Sequence, residues 1–149
     1  MAALKTRVTD ALKAAMKAGE KERVAALRLV TAAVKQYEVD ERSAPDDTAM
    51  LKLLDKMAKQ RRESIEQFEA AGREDLAAKE RYELGVLQDF LPEPLSDAEL
   101  DALIEQAMTD TGAASMKDMG RVMGRLRPQL QGRADMAAVS ARIKTRLGG

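Results

Sequence analysis

The sequence predicts an all-α protein in two units: a long-helix body over residues 1–91 and a compact three-helix tail over 95–149. Three observations predict it. Apolar residues recur every three or four positions almost throughout, and no segment alternates with the period of a strand. The stretch Leu91-Pro92-Glu93-Pro94 is a stiff connector, because each proline fixes φ and biases the residue before it to extended geometry. No internal repeat at a fixed period is found.

Leu4, Val8, Leu12 and then Ala15 or Met16 share a stripe, and Gly19 stands where a helix often ends in a left-handed residue, so the first helix runs over roughly residues 3 to 18. Val24, Leu27, Val30 or Thr31, Val34 and Tyr37 make the second. It gives way after about residue 41 at Arg42-Ser43-Ala44-Pro45-Asp46 and forms an elongated hairpin with the first. Asp46 and Asp47 can cap a long third helix with Met50 or Leu51, Leu54, Met57 or Ala58, Arg61, Ile65 and Phe68, the Arg61 stem lying along the stripe and Gly72 stopping it. Asp75 starts a fourth, through Leu76, Ala77, Glu80, Leu84, Leu87, Phe90 and Leu91, which ends at Pro92.

In the tail, Ser96 and Glu99 make a capping box, since each side chain can satisfy the other's free backbone N–H. The helix behind it carries Leu100, Leu103, Ile104, Ala107 and Met108 and ends at Gly112. Ser115 with Asp118 repeats the logic for a sixth helix with Met119, Val122, Met123 and Leu126, closed by Pro128. Asp135 caps the last, with Met136, Val139, Ile143 and Leu147 on one face and Gly148-Gly149 at its end.

The 149 residues are 45% hydrophobic and 34% charged, the composition of a folded chain. Aromatics are only 3% and methionines nine, so the core is built of Leu, Val, Ala and Met, which suits close helix packing. There is no Cys and no His. That removes disulfides, thiolate metal sites and the commonest general base, and with them most catalytic constellations. No cofactor and no metal site is expected. No apolar run of about 18 residues exists to span a membrane. The N-terminus, MAALKTRVTDALKAAMKAGEKERV, interleaves charges and has neither an apolar signal region nor a cleavage site. Its Ala- and Lys-bearing start imitates an organelle transit peptide, against which Asp10 and Glu20 speak, and the expectation is a soluble, cytoplasmic protein.

The formal charge is zero, but residues 112–149 hold Lys117, Arg121, Arg125, Arg127, Arg133, Arg142, Lys144 and Arg146 against Asp118 and Asp135, a net of +6. The first 111 residues then hold 17 basic and 23 acidic side chains, a net of −6. This predicts an acidic body and a basic tail at which a polyanion would dock.

The stretches RRESIEQFEAAGREDLAAKERYELGVLQDFLPEPLSDAEL and KDMGRVMGRLRPQLQGRADMAAVSARIKTRL, with RVAALRLVTAAVKQYEVDER before them, resemble the YqeY-like (GatB/YqeY) family over nearly the whole chain. Its two most specific motifs are Ser64 to Arg73, SIEQFEAAGR, leading into Asp75-Leu76, and Met119-Gly120-Arg121-Val122-Met123-Gly124. The resemblance implies that the C-terminal part is similar to the tail of the B subunit of the tRNA-dependent amidotransferase, which contacts tRNA while kinase and amide-transfer chemistry lies in other domains. No counterpart of those domains is present here. The resemblance thus implies tRNA binding, whereas carbon–nitrogen ligase activity with glutamine as the amide donor rests on family naming alone.

The candidate RNA-binding set is Lys117, Gly120, Arg121, Gly124, Arg125, Arg127, Arg133 and Lys144. Gly120 and Gly124 fall four apart on one helix face, and glycine within a helix costs about 1 kcal/mol relative to alanine. Two accounts offset that. The bare strip admits an RNA backbone or a partner, with arginines around it for phosphate, or it admits a neighbouring helix of the tail. Gly132 suits a turn with positive φ beside Arg133, and Arg142, Lys144 and Arg146 stud the last helix at spacings that cannot all share one face. From residue 92 onward there is no Phe, Tyr or Trp on which bases could stack, so recognition would be of a folded RNA's shape and backbone.

In the body, Arg61, Arg62 and Glu66 are spaced for ion pairs along the helix and Phe68 is placed to plug the bundle. Glu80 and Glu83 form a carboxylate pair, but no His, Cys or phosphate loop accompanies it, and Ser64 has no nucleophile context, so no catalytic residue is assigned. The leading reading is a non-catalytic tRNA-binding protein with a helical body that engages another protein. The alternatives are a protein-interaction adaptor without RNA, and an accessory component of amide transfer.

Overall fold

The computed structural model describes residues 3–130 and 132–148, and every regular element among them is helical. The chain divides into two compact units, Met1–Leu91 and Pro92–Gly149.

The first unit contains α1 (Ala3–Ala18), α2 (Lys21–Glu41), α3 (Asp47–Ala70) and α4 (Glu74–Gln88). α1 pairs with α2 and α3 with α4 as two hairpins. Each hairpin turns at a glycine in the left-handed region, Gly19 at φ 70° and Gly72 at φ 71°, a conformation that glycine adopts without a Cβ penalty. Leu4, Val8 and Ala15 of α1, Ala26, Leu27, Val30 and Val34 of α2, and Met50, Leu54, Met57 and Ala58 of α3 close over Val86, Leu87 and Phe90. The two aspartates ahead of α3 separate in role. Asp46 Oδ1 accepts from Ala49 N at 2.8 Å and caps α3, whereas Asp47 Oδ1 accepts from Leu4 N at 2.9 Å and caps α1.

Three expectations for this unit are corrected. Phe90, 6% exposed, is the aromatic in the core, while Phe68 is only half-buried outside it. Arg61 pairs across the hairpin rather than with Glu66 of its own helix. Its Nε lies 2.8 Å from Glu83 and 3.5 Å from Glu80, across on α4. The fourth helix ends at Gln88, before Pro92, and unwinds through tighter turns in which Asp89, Phe90 and Leu91 donate three residues back. Arg7 and Arg23 hold that end, Arg7 donating to the Asp89 carbonyl at 3.2 Å and lying over the Phe90 ring, and Arg23 reaching the Asp89 carboxylate at 3.2 Å.

The second unit contains α5 (Asp97–Thr111), a single 3-10 turn (Met116–Asp118), α6 (Met119–Leu130) and α7 (Met136–Arg146). Leu100, Ile104 and Ala107 of α5, Val122, Met123, Leu126 and Leu130 of α6, and Val139, Ile143 and Leu147 make a separate core. The Ser96–Glu99 capping box forms with both bonds in place, 3.1 Å and 3.2 Å. The Asp118 carboxylate accepts from the backbone N–H of Ala114 at 2.9 Å and of Ser115 at 3.2 Å, and Asp135 caps α7 through Ala137 N at 3.1 Å. Pro128 does not close the sixth helix as expected: α6 continues through it to Leu130, which is fully buried. Only two residues follow the proline, so one lost backbone bond is outweighed by seating Leu130 in the core. Gly132 then turns the chain at φ 75°, buried, as its place in the sequence required. Of the glycines expected at the chain's end, Gly149 lies outside the described residues.

Candidate nucleic-acid interface

The apolar residues of α6, Val122, Met123, Leu126 and Leu130, are buried on one side. At 100° per residue that leaves Gly120, Gly124 and Pro128, four apart, as a row on the opposite side, and all three are exposed. A Cβ placed on Gly120 or Gly124 meets nothing within 4 Å. The account in which this strip admits a neighbouring helix of the tail is therefore ruled out within the unit, because its neighbours pack against the other side of α6. Pro128, lacking an N–H, cannot donate to the Gly124 carbonyl four residues earlier, so the strip lacks both side chains and one backbone bond.

Arg121 and Arg125 stand one residue on from the glycines and flank the strip on one side, 63% and 57% exposed, and Arg127 flanks it on the other. Lys117 is exposed on the 3-10 turn just before α6. These four positions and the glycines belong to one element and its lead-in. Lys144 is exposed on α7, and Arg133 lies in the turn between the helices. Arg133 is engaged locally: its Nε donates to the Glu93 carbonyl at 3.1 Å, and its own carbonyl accepts from Leu95 N at 2.9 Å. It fastens the Pro94 segment to the α6–α7 turn.

The expected acidic body and basic tail do not exist. Residues 92–149 include Glu93, Asp97, Glu99, Asp101, Glu105 and Asp110 as well as Asp118 and Asp135, eight acids against the eight bases already named. Of the chain's 25 basic and 25 acidic residues, 17 of each fall in the first unit, so both units are neutral. The charge asymmetry lies inside the second unit. Arg121 pairs with Asp118, Arg125 with Asp110 at 3.2 Å, Arg142 with Asp97 at 2.7 Å and Asp101 at 2.8 Å, and Arg146 with Glu105. The Asp118 carboxyl is held down to about 2 by the Ala114 N–H first, then by the Arg121 guanidinium and the Ser115 N–H. The α5 acids were missed as part of the site. Their signal was present in the sequence as Asp97, Asp101 and Glu105 at intervals of four.

In the first unit Glu80 and Glu83 turn to Arg61, a half-buried ion pair in which Glu80 Oε2 and Arg61 Nε find no hydrogen bond. Ser64 is half-buried on α3. Among the described residues no group of three or more acids could hold a metal ion, and no helix is long and apolar enough to cross a membrane.

The family model described as Yqey-like protein matches residues 5–147. The chain belongs to the YqeY-like family. Within it, a Pyrenophora tritici-repentis protein named altered inheritance of mitochondria protein 41, mitochondrial, is 32% identical over 145 residues, covering 95% of this chain and 80% of its own length. Proteins of the same name from Eremothecium gossypii and Meyerozyma guilliermondii are each 34% identical, over 68% and 76% of this chain. The chain spans 60% and 62% of the length of those two relatives. Their names overturn the expectation of a cytoplasmic protein, since all three of these relatives of the YqeY-like chain are named as mitochondrial.

Proposed function

We propose that this YqeY-like protein is a non-catalytic binding protein whose second unit meets folded RNA, tRNA above all, through the outer face of α6. The observation that carries the reading is the open Gly120–Gly124–Pro128 row bordered by exposed arginines. A helix side without Cβ atoms lets a sugar–phosphate backbone approach to van der Waals distance, and guanidinium groups on both borders reach phosphates on either side. The absence of aromatic residues after residue 91 fits recognition of an A-form backbone and its 2′-hydroxyls rather than of unstacked bases. The resemblance of this part of the chain to the tail of the tRNA-dependent amidotransferase B subunit supports the same ligand.

A second reading, an adaptor for a protein partner, is favoured by a different observation. Both units are neutral, and α2 presents Leu29 and Val39, 43% and 69% exposed, on its outer side. The test is binding of total tRNA to the full chain and to the variant R121E/R125E/R127E at two salt concentrations. The expected result is affinity that falls with salt and is lost in the variant, with a log–log slope of about −0.9 per phosphate neutralised. Wild-type chain that ignores tRNA at low salt overturns the RNA reading in favour of the adaptor, whereas a variant that binds tRNA as well as the wild type overturns the placement of that binding on α6.

A further inference from the structure

Four arginines of the second unit, Arg121, Arg125, Arg142 and Arg146, are not open cations. Arg142 places one terminal nitrogen 2.8 Å from Asp101 and the other 2.7 Å from Asp97. Arg146 pairs with Glu105 and lies 3.9 Å from Asp101, and Arg125 reaches Asp110 at 3.2 Å. All four acids project from α5, and Asp97, Asp101 and Glu105 form a row at intervals of four residues, with Arg142 and Arg146 seated between successive members.

This ladder is not what holds the three helices together. Leu100, Ile104, Leu126, Leu130, Val139 and Ile143 already share a buried core. Asp97 and Glu105 are 88% and 70% exposed, where ion pairs add little to stability. What the ladder does change is the availability of the arginines. A guanidinium offers a planar fork that matches a carboxylate and a phosphate alike, so the nitrogens held by α5 are those a phosphate would take.

We propose that the acidic row of α5 is a built-in competitor for phosphate, which holds the second unit in a low-affinity state until a polyanion with several phosphates displaces the carboxylates together. The inference rests on the reading that this unit meets folded RNA, and it adds a threshold to it. A mononucleotide or a lone phosphate presents too few charges to compete with a tethered carboxylate row. A folded RNA presents many at once, so Arg125, Arg142 and Arg146 are released to it as a set. Among the described residues of the resting unit the cations outside ion pairs are Lys117, Arg127, Lys144 and Arg133, and the first three, with no backbone bond such as Arg133 makes to Glu93, make first contact.

The test compares the full chain carrying D101N/E105Q/D110N with a charge-matched control, E41Q/E63Q/E66Q, which removes three exposed acids of the first unit. The amides keep the shape of the carboxylates, and D101N alone, which touches both Arg142 and Arg146, serves if the triple variant melts. Binding is measured to total tRNA and to immobilised heparin. The expected result is about tenfold tighter tRNA binding than in the control at low salt, a log–log salt slope steeper by about one to two, and later elution from heparin. An α5 variant that gains no more than the control on either probe reduces the effect to net charge and overturns the proposal, even if the wild type binds tRNA. Later heparin elution with no tRNA binding by any chain upholds the competitor and sinks the RNA reading instead.

Discussion

Gly120 and Gly124 carry a cost that nothing in their own unit returns. Both are helical, both face away from the core, and a Cβ at either meets open space. Alanine there should raise the stability of the second unit by about 1 kcal/mol per site, which chemical denaturation monitored by circular dichroism reads directly. Gly85 on α4 is equally open, so Gly85→Ala should stabilise the first unit in the same way and serves as the control without a bordering arginine set. If G120A/G124A instead destabilises, the strip is packed against something the isolated unit does not explain. The same substitutions should weaken tRNA binding, because each methyl group stands where a backbone would approach. Asp118 makes a second residue-scale case. Its folded pKa, about 2, lies below the unfolded value of 3.8, so its contribution is fully present above about pH 4 and is lost as pH falls toward 2. Asp118→Asn should flatten the acid limb of the unfolding curve over that window, and an unchanged limb would mean that the carboxylate's bonds to Ala114 and Ser115 do not persist in solution.

At the scale of elements, most of the fold was legible because each helix states its own ends. Gly19 and Gly72 terminate at positive φ, and Ser96 with Glu99 builds the capping box its spacing implies. What was not legible lay in competition between local and tertiary terms. Pro128 reads as a stop until Leu130, two residues on, is seen buried in the core of the second unit. Arg61 reads as a partner for its own helix, because the facing carboxylates of α4 become neighbours only when the hairpin closes. The glycine strip was half legible: the spacing of Val122, Met123, Leu126 and Leu130 opposes Gly120 and Gly124, yet spacing alone cannot say whether a neighbour covers that side. Pro128 also supports a prediction about α6 as an element. Its ring is exposed and its missing N–H leaves one intrahelical bond unmade, so Pro128→Ala should stabilise the second unit by about 1 to 3 kcal/mol. A loss of stability in denaturant titration would show that the fixed φ of proline, by restricting the unfolded chain, matters more here than the bond it forgoes.

For the whole molecule, the division that matters is of cores rather than of charge. Counting charge from residue 112 cut α5 away from the helices it neutralises and produced a polarity that vanishes when the boundary falls between Leu91 and Pro92. The hydrophobic clusters obey the same boundary: Leu27, Leu54 and Phe90 belong to one, and Ile104, Leu130 and Ile143 to the other, with no residue in common. Cooperativity follows shared burial, so each unit should open by its own equilibrium. Leu130 is fully buried, and Leu130→Ala removes its transfer energy and leaves a cavity, at a cost of about 2 to 5 kcal/mol. Native-state hydrogen exchange on that variant should show the slow amides of α5, α6 and α7 exchanging faster by the corresponding factor, roughly thirtyfold or more. The slow amides of α3 and α4 should keep their wild-type rates, because none of their buried neighbours has changed. If those amides accelerate in step, the two cores are one cooperative body, and a ligand bound by the second unit would then stabilise the first. Unchanged rates there would instead leave the YqeY-like second unit free to bind and release its ligand without disturbing the helices that precede it.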